Sequence, residues 1–184
     1  RAEPNNRRLQ ANSAAVGGIT RKRIGKQKIK TYSGGMKQRL LIAQAFLGDP
    51  KVVFMDEPTA GLDPKERIRI RNLISEMALG KIVLIATHIV SDVEYISKEI
   101  LLLKHGEIIG SGNPESLEKE LYGIVYEKKV TVEQLKEIQD KYLVAGIREE
   151  GNQVVVRYLD SKSDEETTVW PTLDDVYLYH FYKE

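Results

Sequence analysis

Hydrophobic positions fall into three textures along the chain. Residues 1–17 show neither a sustained 3.6-residue nor a 2-residue apolar period, so they are given no element and no role. Ser33 is a good N-cap, after which Leu40, Ala43 and Phe46 continue a helix that Gly48 and Pro50 end, and from Lys51 the punctuation becomes regular. Val52-Val53-Phe54-Met55 is a continuous apolar run between Gly48-Asp49-Pro50 and Glu57-Pro58, the pattern of a buried strand. Asp63-Pro64 then supplies a cap with proline at the first helical position, and Ile68, Leu73, Ile74 and Met77 supply an apolar stripe ending at Gly80. Ile82–Ala86 is a second buried strand, and Ser91-Asp92-Val93-Glu94 has the spacing of a capping box. Strand, helix, strand, helix predicts an α/β fold with a parallel sheet.

Ile100–Leu103 and Glu107–Ile109 flank Lys104-His105-Gly106, a hairpin signal that predicts an antiparallel pair at the margin of that sheet. Gly110-Ser111-Gly112-Asn113-Pro114 reads as a boundary, which places one domain at 18–112 and another at 113–184. The third texture alternates more: strand-like Gly123–Val130, a capped helix from Thr131, strand-like Leu143–Arg148, a Gly151-Asn152 turn and Val154–Leu159. A polar loop, Ser161–Thr168, leads to Thr172-Leu173-Asp174-Asp175, which caps a Tyr-rich helix carrying Val176, Tyr179 and Phe181. The expectation is a small α+β domain.

Composition narrows the function classes. A chain of 184 residues with 41% hydrophobic residues can bury a core, and zero cysteines exclude a disulfide framework, a thiolate metal site and a cysteine nucleophile. No apolar run approaches the roughly 20 residues of a membrane helix and no signal-peptide pattern is present, so the default expectation is a soluble cytoplasmic protein. The net charge of +1 is uneven: residues 1–30 hold nine Lys/Arg against Glu3, or +8, leaving −7 for the rest. No aromatic residue interleaves these charges and no helix-turn-helix is evident, so a solvated basic segment is expected, with no nucleic acid partner.

Candidate chemistry lies in four places. At Ser33-Gly34-Gly35 a helix begins with two residues that lack side chains, which lets its free N–H groups and positive dipole end meet an anion such as phosphate. Asp56-Glu57 sits at the C-terminal end of a predicted parallel strand, where α/β sheets bind ligands. One carboxylate there can hold Mg²⁺ through its water shell, and the other can orient or deprotonate an attacking water. Ala60-Gly61-Leu62-Asp63 comes next in the chain, and His88, after the next strand, reaches the same edge and can donate to a terminal phosphate.

In this order the motifs resemble the second half of the ATP-binding cassette (ABC) nucleotide-binding domain, a P-loop NTPase fold. Tyr32–Met36 is similar to the family signature L-S-G-G-Q, with Tyr32 for Leu and Met36 for Gln. Val52–Glu57 resembles the Walker B strand, Ala60–Asp63 the D-loop, and His88 the switch histidine. The resemblance spans roughly Ile19 to Gly112, and Pro171–Tyr177 is similar to the P-T-L-E-D-V-Y/F ending of type-2 exporter ATPases. It implies Glu57 as the catalytic carboxylate, His88 as the γ-phosphate contact and Asp56 on the Mg²⁺ side. It further implies that Ser33, Gly34 and Gly35 contact the ATP held by a second nucleotide-binding subunit, and that Asp63 communicates across that interface. The implied partners are that subunit and a membrane permease, with the protein peripheral at the inner face of the membrane.

A phosphate loop, G-x-x-x-x-G-K-[ST], is also expected of this family, together with a Q-loop and an adenine-stacking aromatic. None is present in the sequence; Gly25-Lys26 is followed by Gln27 and lacks the leading glycine, so it reads as loop. The expectation is therefore a chain truncated at its front, inactive alone, with a sheet left partly uncovered. Two other classes stay open: a non-catalytic module supplying the signature helix in trans to a complete subunit, and a chromosome-maintenance or DNA-repair ATPase. The second would require long heptad arms, which are not seen.

Overall fold

The structure is a computed structural model and describes residues 28–160 and 168–182. The segment 1–17, most of the basic stretch, Gly25-Lys26 and residues 161–167 of the polar loop lie outside them. The chain divides into two compact units that meet in sequence between Ile96 and Ser97. Packing thus groups the hairpin with the second unit, whereas the motif pattern places the domain break after Gly112.

In the first unit, a short 3₁₀ turn (Ile29–Thr31) precedes α1 (Gly34–Ala45), β1 (Val52–Asp56), α2 (Pro64–Met77), β2 (Ile82–Ala86) and α3 (Val90–Ile96). As predicted, β1 and β2 pair in parallel, Val52 opposite Ile82 through Asp56 opposite Ala86. Side chains alternate across a strand, so Val53 and Met55 with Val83 and Ile85 face α1 and α2. There Ile42, Phe46, Val53, Ile70 and Ile74 form the core, joined by Leu62, Leu73 and Met77. Ile68, predicted in this stripe, is exposed, and Ile70 replaces it, because Ile70, Leu73, Ile74 and Met77 are the set spaced i, i+3, i+4, i+7. The opposite face of the sheet, Val52, Phe54, Ile82 and Leu84, is exposed, Phe54 to 75%.

The predicted capping box at Ser91 does not form. Helix α3 begins at Val90, which puts Ser91 inside it, and its entry is set instead by Thr87, whose hydroxyl accepts from the Ile89 amide at 3.1 Å. Asp92 is buried rather than solvated in the first turn.

In the second unit, β3 (Ile100–Lys104) and β4 (Glu107–Gly112) form the predicted hairpin as a separate two-stranded sheet, not hydrogen-bonded to β1 and β2. Its turn residues His105 and Gly106 have φ of 53° and 85°, the mirror-image turn that suits twisted strands. Strand β4 runs through Gly110–Gly112, and the supposed boundary residues Asn113-Pro114 start another helix, α4 (Pro114–Glu120), with the Asn113 carboxamide accepting from the Ser116 amide at 2.8 Å. Asparagine before proline is a strong helix start that reads equally well as a turn.

Strands β5 (Val125–Val130), β6 (Leu143–Glu150) and β7 (Gln153–Leu159) make an antiparallel sheet in the order β5-β7-β6, with α5 (Val132–Lys141) and α6 (Leu173–Tyr182). The capping box of α5 is complete: Thr131 accepts from the Gln134 amide and Gln134 accepts from the Thr131 amide. Tyr126, Val130, Ile138, Val156 and Tyr158 form this unit's core beneath α5. Arg157, from the neighbouring register of β7, pairs at 2.5 Å with Asp175, which is 1% exposed near the start of α6. Asp175 also accepts from the Thr172 amide and hydroxyl at 2.7 and 2.9 Å, so the Pro171–Tyr177 ending is pinned by one carboxylate.

Candidate functional site

Parallel pairing of β1 and β2 brings Asp56, Glu57, Thr87 and His88 to one edge. The Glu57 amide extends the ladder by donating to the Ala86 carbonyl at 2.8 Å, and the chain then turns with Glu57 at φ 46°, a left-handed conformation that a β-carbon disfavours. The turn points the carboxylate at the segment after β2. Thr87 Oγ1 donates to Glu57 Oε2 at 3.0 Å; the His88 amide donates to Oε1 at 3.0 Å, and His88 Nδ1 lies 2.5 Å from the same oxygen. Burial pushes the Glu57 carboxyl up, but the bonds from the His88 ring, Thr87 and the His88 amide outweigh it and hold the group below its ordinary value.

Two chemical consequences result. A carboxylate only accepts, so Nδ1 carries the proton in this contact and Nε2, on a side chain 72% exposed, is the nitrogen left for a further partner. A carboxyl with a lowered pKa is a weaker base, so Glu57 gains basicity when the His88 contact opens.

The second cluster surrounds the start of α1. Ser33 caps the helix, its hydroxyl accepting from the Met36 amide at 3.3 Å, and its carbonyl accepts from the Lys37 amide. The first-turn N–H groups of Gly34 and Gly35 have no intrahelical acceptor. Gly34 abuts Leu62 of the loop after β1: an added β-carbon there would lie 3.8 Å from a Leu62 methyl. At Gly35 the missing side chain has a second use, because a β-carbon would lie 2.6 Å from Glu66 Oε2. That oxygen accepts from Arg39 Nη1 at 2.6 Å, and Oε1 accepts from Arg69, so Glu66 fastens α1 to α2 through the space Gly35 leaves. The two-glycine pattern signals a bare backbone but not this long-range contact, so motif reading does not reach Glu66 or Arg39.

Asp63 caps α2, accepting from the Glu66 amide at 3.0 Å, and is exposed. These hydrogen bonds run within the Glu57–His88 group and within the Ser33–Glu66 group. Asp56 is exposed at the strand end, and among the described residues no cluster of three or more His, Asp or Glu could hold an ion by itself. One carboxylate fits a cation that keeps most of its ligands as water and phosphate, the habit of Mg²⁺.

Sequence and structure comparisons agree with this geometry. Residues 4–60 match the family model described as ABC transporter. An uncharacterized ABC transporter ATP-binding protein of Synechocystis is 42% identical over 108 residues, covering 58% of this chain and 30% of the relative. ABC transporter A family member 8 of Dictyostelium discoideum is 36% identical over 118 residues, covering 64% of this chain and 14% of the relative. The chain thus spans less than a third of these relatives' lengths. Among solved structures, an ATP-binding subunit of an ABC transporter superposes with a TM-score of 0.53 at 24% identity, covering 65% of this chain and 50% of that one. The ATP-binding cassette MJ1267 superposes at 0.51 and 24%, covering 61% and 45%. The fold is that of an ABC ATPase domain in part, a P-loop NTPase fold of the α/β class. No helix among the described residues is long and apolar enough to cross a membrane.

Proposed function

From a chain with the sequence and fold of part of an ABC transporter ATP-binding domain, we propose that it supplies the hydrolytic edge and signature helix of an exporter's ATPase subunit. The observation that carries the reading is Glu57 at the end of parallel strand β1, aimed at Thr87 and His88. Glu57 is the base that deprotonates the water attacking the γ-phosphate of ATP, and His88, released from Glu57, donates a ring N–H to that phosphate. Asp56 would hold Mg²⁺ through its water shell, and the ion would offset charge on the phosphates. Ser33, Gly34 and Gly35 present a hydroxyl and two N–H groups to a γ-phosphate held by a second nucleotide-binding subunit, and Asp63 faces the same interface. Closure around ATP and reopening drive a membrane permease, which places the protein at the cytoplasmic face of the membrane. In this reading residues 18–112 are the nucleotide-binding portion and 113–184 an accessory domain of type-2 exporters, whose ending is Pro171–Tyr177.

The triphosphate needs a phosphate loop, and these 184 residues hold no G-x-x-x-x-G-K-[ST]. Hydrolysis by this chain alone is therefore expected to be negligible. A second reading is a non-catalytic module that lends α1 in trans to a complete subunit. Calorimetric titration of Mg-ATP into the chain, beside Ser33→Ala, tests both. No binding by the chain alone, with binding to a complete subunit strengthened by the chain but not by Ser33→Ala, supports the trans module. Turnover by the isolated chain that Glu57→Gln abolishes would overturn the expectation of inactivity.

A further inference from the structure

Two kinds of cross-link join the loop after β1 to the segment after β2, those of Glu57 with Thr87 and His88 and that of Thr59 with Asp92. The outer link is the Glu57–His88 contact, open to solvent on the histidine side. The inner link is a hydrogen bond from the Thr59 hydroxyl to the Asp92 carboxylate, with Thr59 0% and Asp92 2% exposed. Thr59 is two residues beyond Glu57, and Asp92 is four beyond His88, so the links close a ring of two short chain segments. The other Asp92 oxygen, Oδ1, is buried without a hydrogen bond, and its charge is met by Arg71 of α2, Nη1 lying 3.6 Å away. Arg71 is itself fixed, donating to the Ser91 carbonyl at 2.9 Å and lying 4.6 Å from the centre of the Tyr95 ring.

A buried carboxylate stripped of its donor is costly, whereas an exposed contact exchanges readily with water or phosphate. We infer that Asp92 is a positioning residue: through Thr59 it fixes the loop after β1 against α3, so that the Glu57–His88 contact opens and recloses in register. The inference rests on the roles proposed for Glu57 and His88. It explains why a carboxylate is buried at the first turn of α3.

The test reads the imidazole ¹⁵N resonances of His88 at fixed pH in the full chain. Glu57→Ala defines the displacement that accompanies loss of the outer contact. Thr59→Val keeps the shape and removes the donor; its His88 resonances should move most of the way to the Glu57→Ala positions while circular dichroism stays native. Thr59→Ser, which restores a hydroxyl, should return them. Should Thr59→Val fail to fold, Asp92→Asn, which keeps the shape and removes the charge facing Arg71, is read in its place with the same expectation. A folded Thr59→Val or Asp92→Asn with native His88 resonances, or a Thr59→Ser that fails to restore them, overturns the role of Asp92. If Glu57→Ala itself leaves His88 unmoved, the pairing of Glu57 with His88 falls, and the inference with it.

Discussion

The two sheets of similar strands make opposite use of their faces. In the first unit β1 and β2 cover one face with α1 and α2 and expose Val52, Phe54, Ile82 and Leu84 on the other. In the second, β7 is the central strand of an antiparallel sheet whose neighbouring positions Val155 and Val156 are 3% and 0% exposed. Parallel strands normally need cover on both sides, which is why they read as unbroken apolar runs. The second unit meets its own demand with α5, α6 and the Arg157–Asp175 pair; the first carries the Glu57–His88 pair at its edge on a sheet that is apolar on both faces and, among the described residues, covered on one. An apolar run in a sequence therefore states what a strand requires, not what its fold provides.

The contrast can be broken most decisively at Asp175. Asp175→Ala leaves Arg157 to Glu127 and the Trp170 carbonyl, strips the Thr172 amide and hydroxyl of their buried acceptor, and should cost about 3 kcal/mol in a denaturant melt. A loss below about 1 kcal/mol would mean that α6 is held by apolar packing alone. Next comes a matched pair of deletions: Leu117→Ala, fully buried in the second unit, should cost about 2–5 kcal/mol, whereas Phe54→Ser should stay within about 0.5 kcal/mol. If Phe54→Ser is as damaging as Leu117→Ala, the exposed face is covered in solution. Caps sharpen the comparison further, since Ser33→Ala and Thr131→Ala each remove one helix N-cap and should each cost about 1 kcal/mol by thermal unfolding.

The smallest effect is on the acid limb. Folding lowers the carboxyl of Glu57, where burial is outweighed by the bonds from His88 and Thr87, and that of Glu127 chiefly through its hydrogen bond from Arg148, against burial, aided by Arg157. The unfolded chain then binds more protons as pH drops below the ordinary glutamate value of about 4.3. These contributions are complete above that value and are lost as pH falls through the lowered folded values. Glu127→Gln and Glu57→Gln should each flatten the stability curve below about pH 4 and leave its shape near neutrality unchanged. An unchanged acid limb in both variants would remove these carboxylates from the stability of either unit.

Local signals are legible wherever one short segment decides the outcome. Val52–Met55, Ile82–Ala86, the Asp63-Pro64 start, the Thr131–Gln134 box and the His105-Gly106 turn are all set by neighbours within four residues. The arrival of Glu57 and His88 at one edge is legible too, because two parallel strands of equal length release their next residues on the same side of the sheet. The segments that mislead are those decided at a distance. Ser91 is an acceptable cap until Asp92 finds Thr59 from 33 residues away, and Gly35 makes room for a side chain on another helix. Neither partner leaves a mark beside the residue it governs.

Glu57 stands in a backbone conformation that glycine or asparagine would occupy at lower cost. Selection for durability alone would therefore erode this position toward those residues, and each replacement would discard the carboxylate that reaches Thr87 and His88. In a library of random variants scored first for thermal tolerance and then for retention of the His88 contact, position 57 should separate the two rankings. A protein kept only for its shape would have no reason to hold a glutamate there.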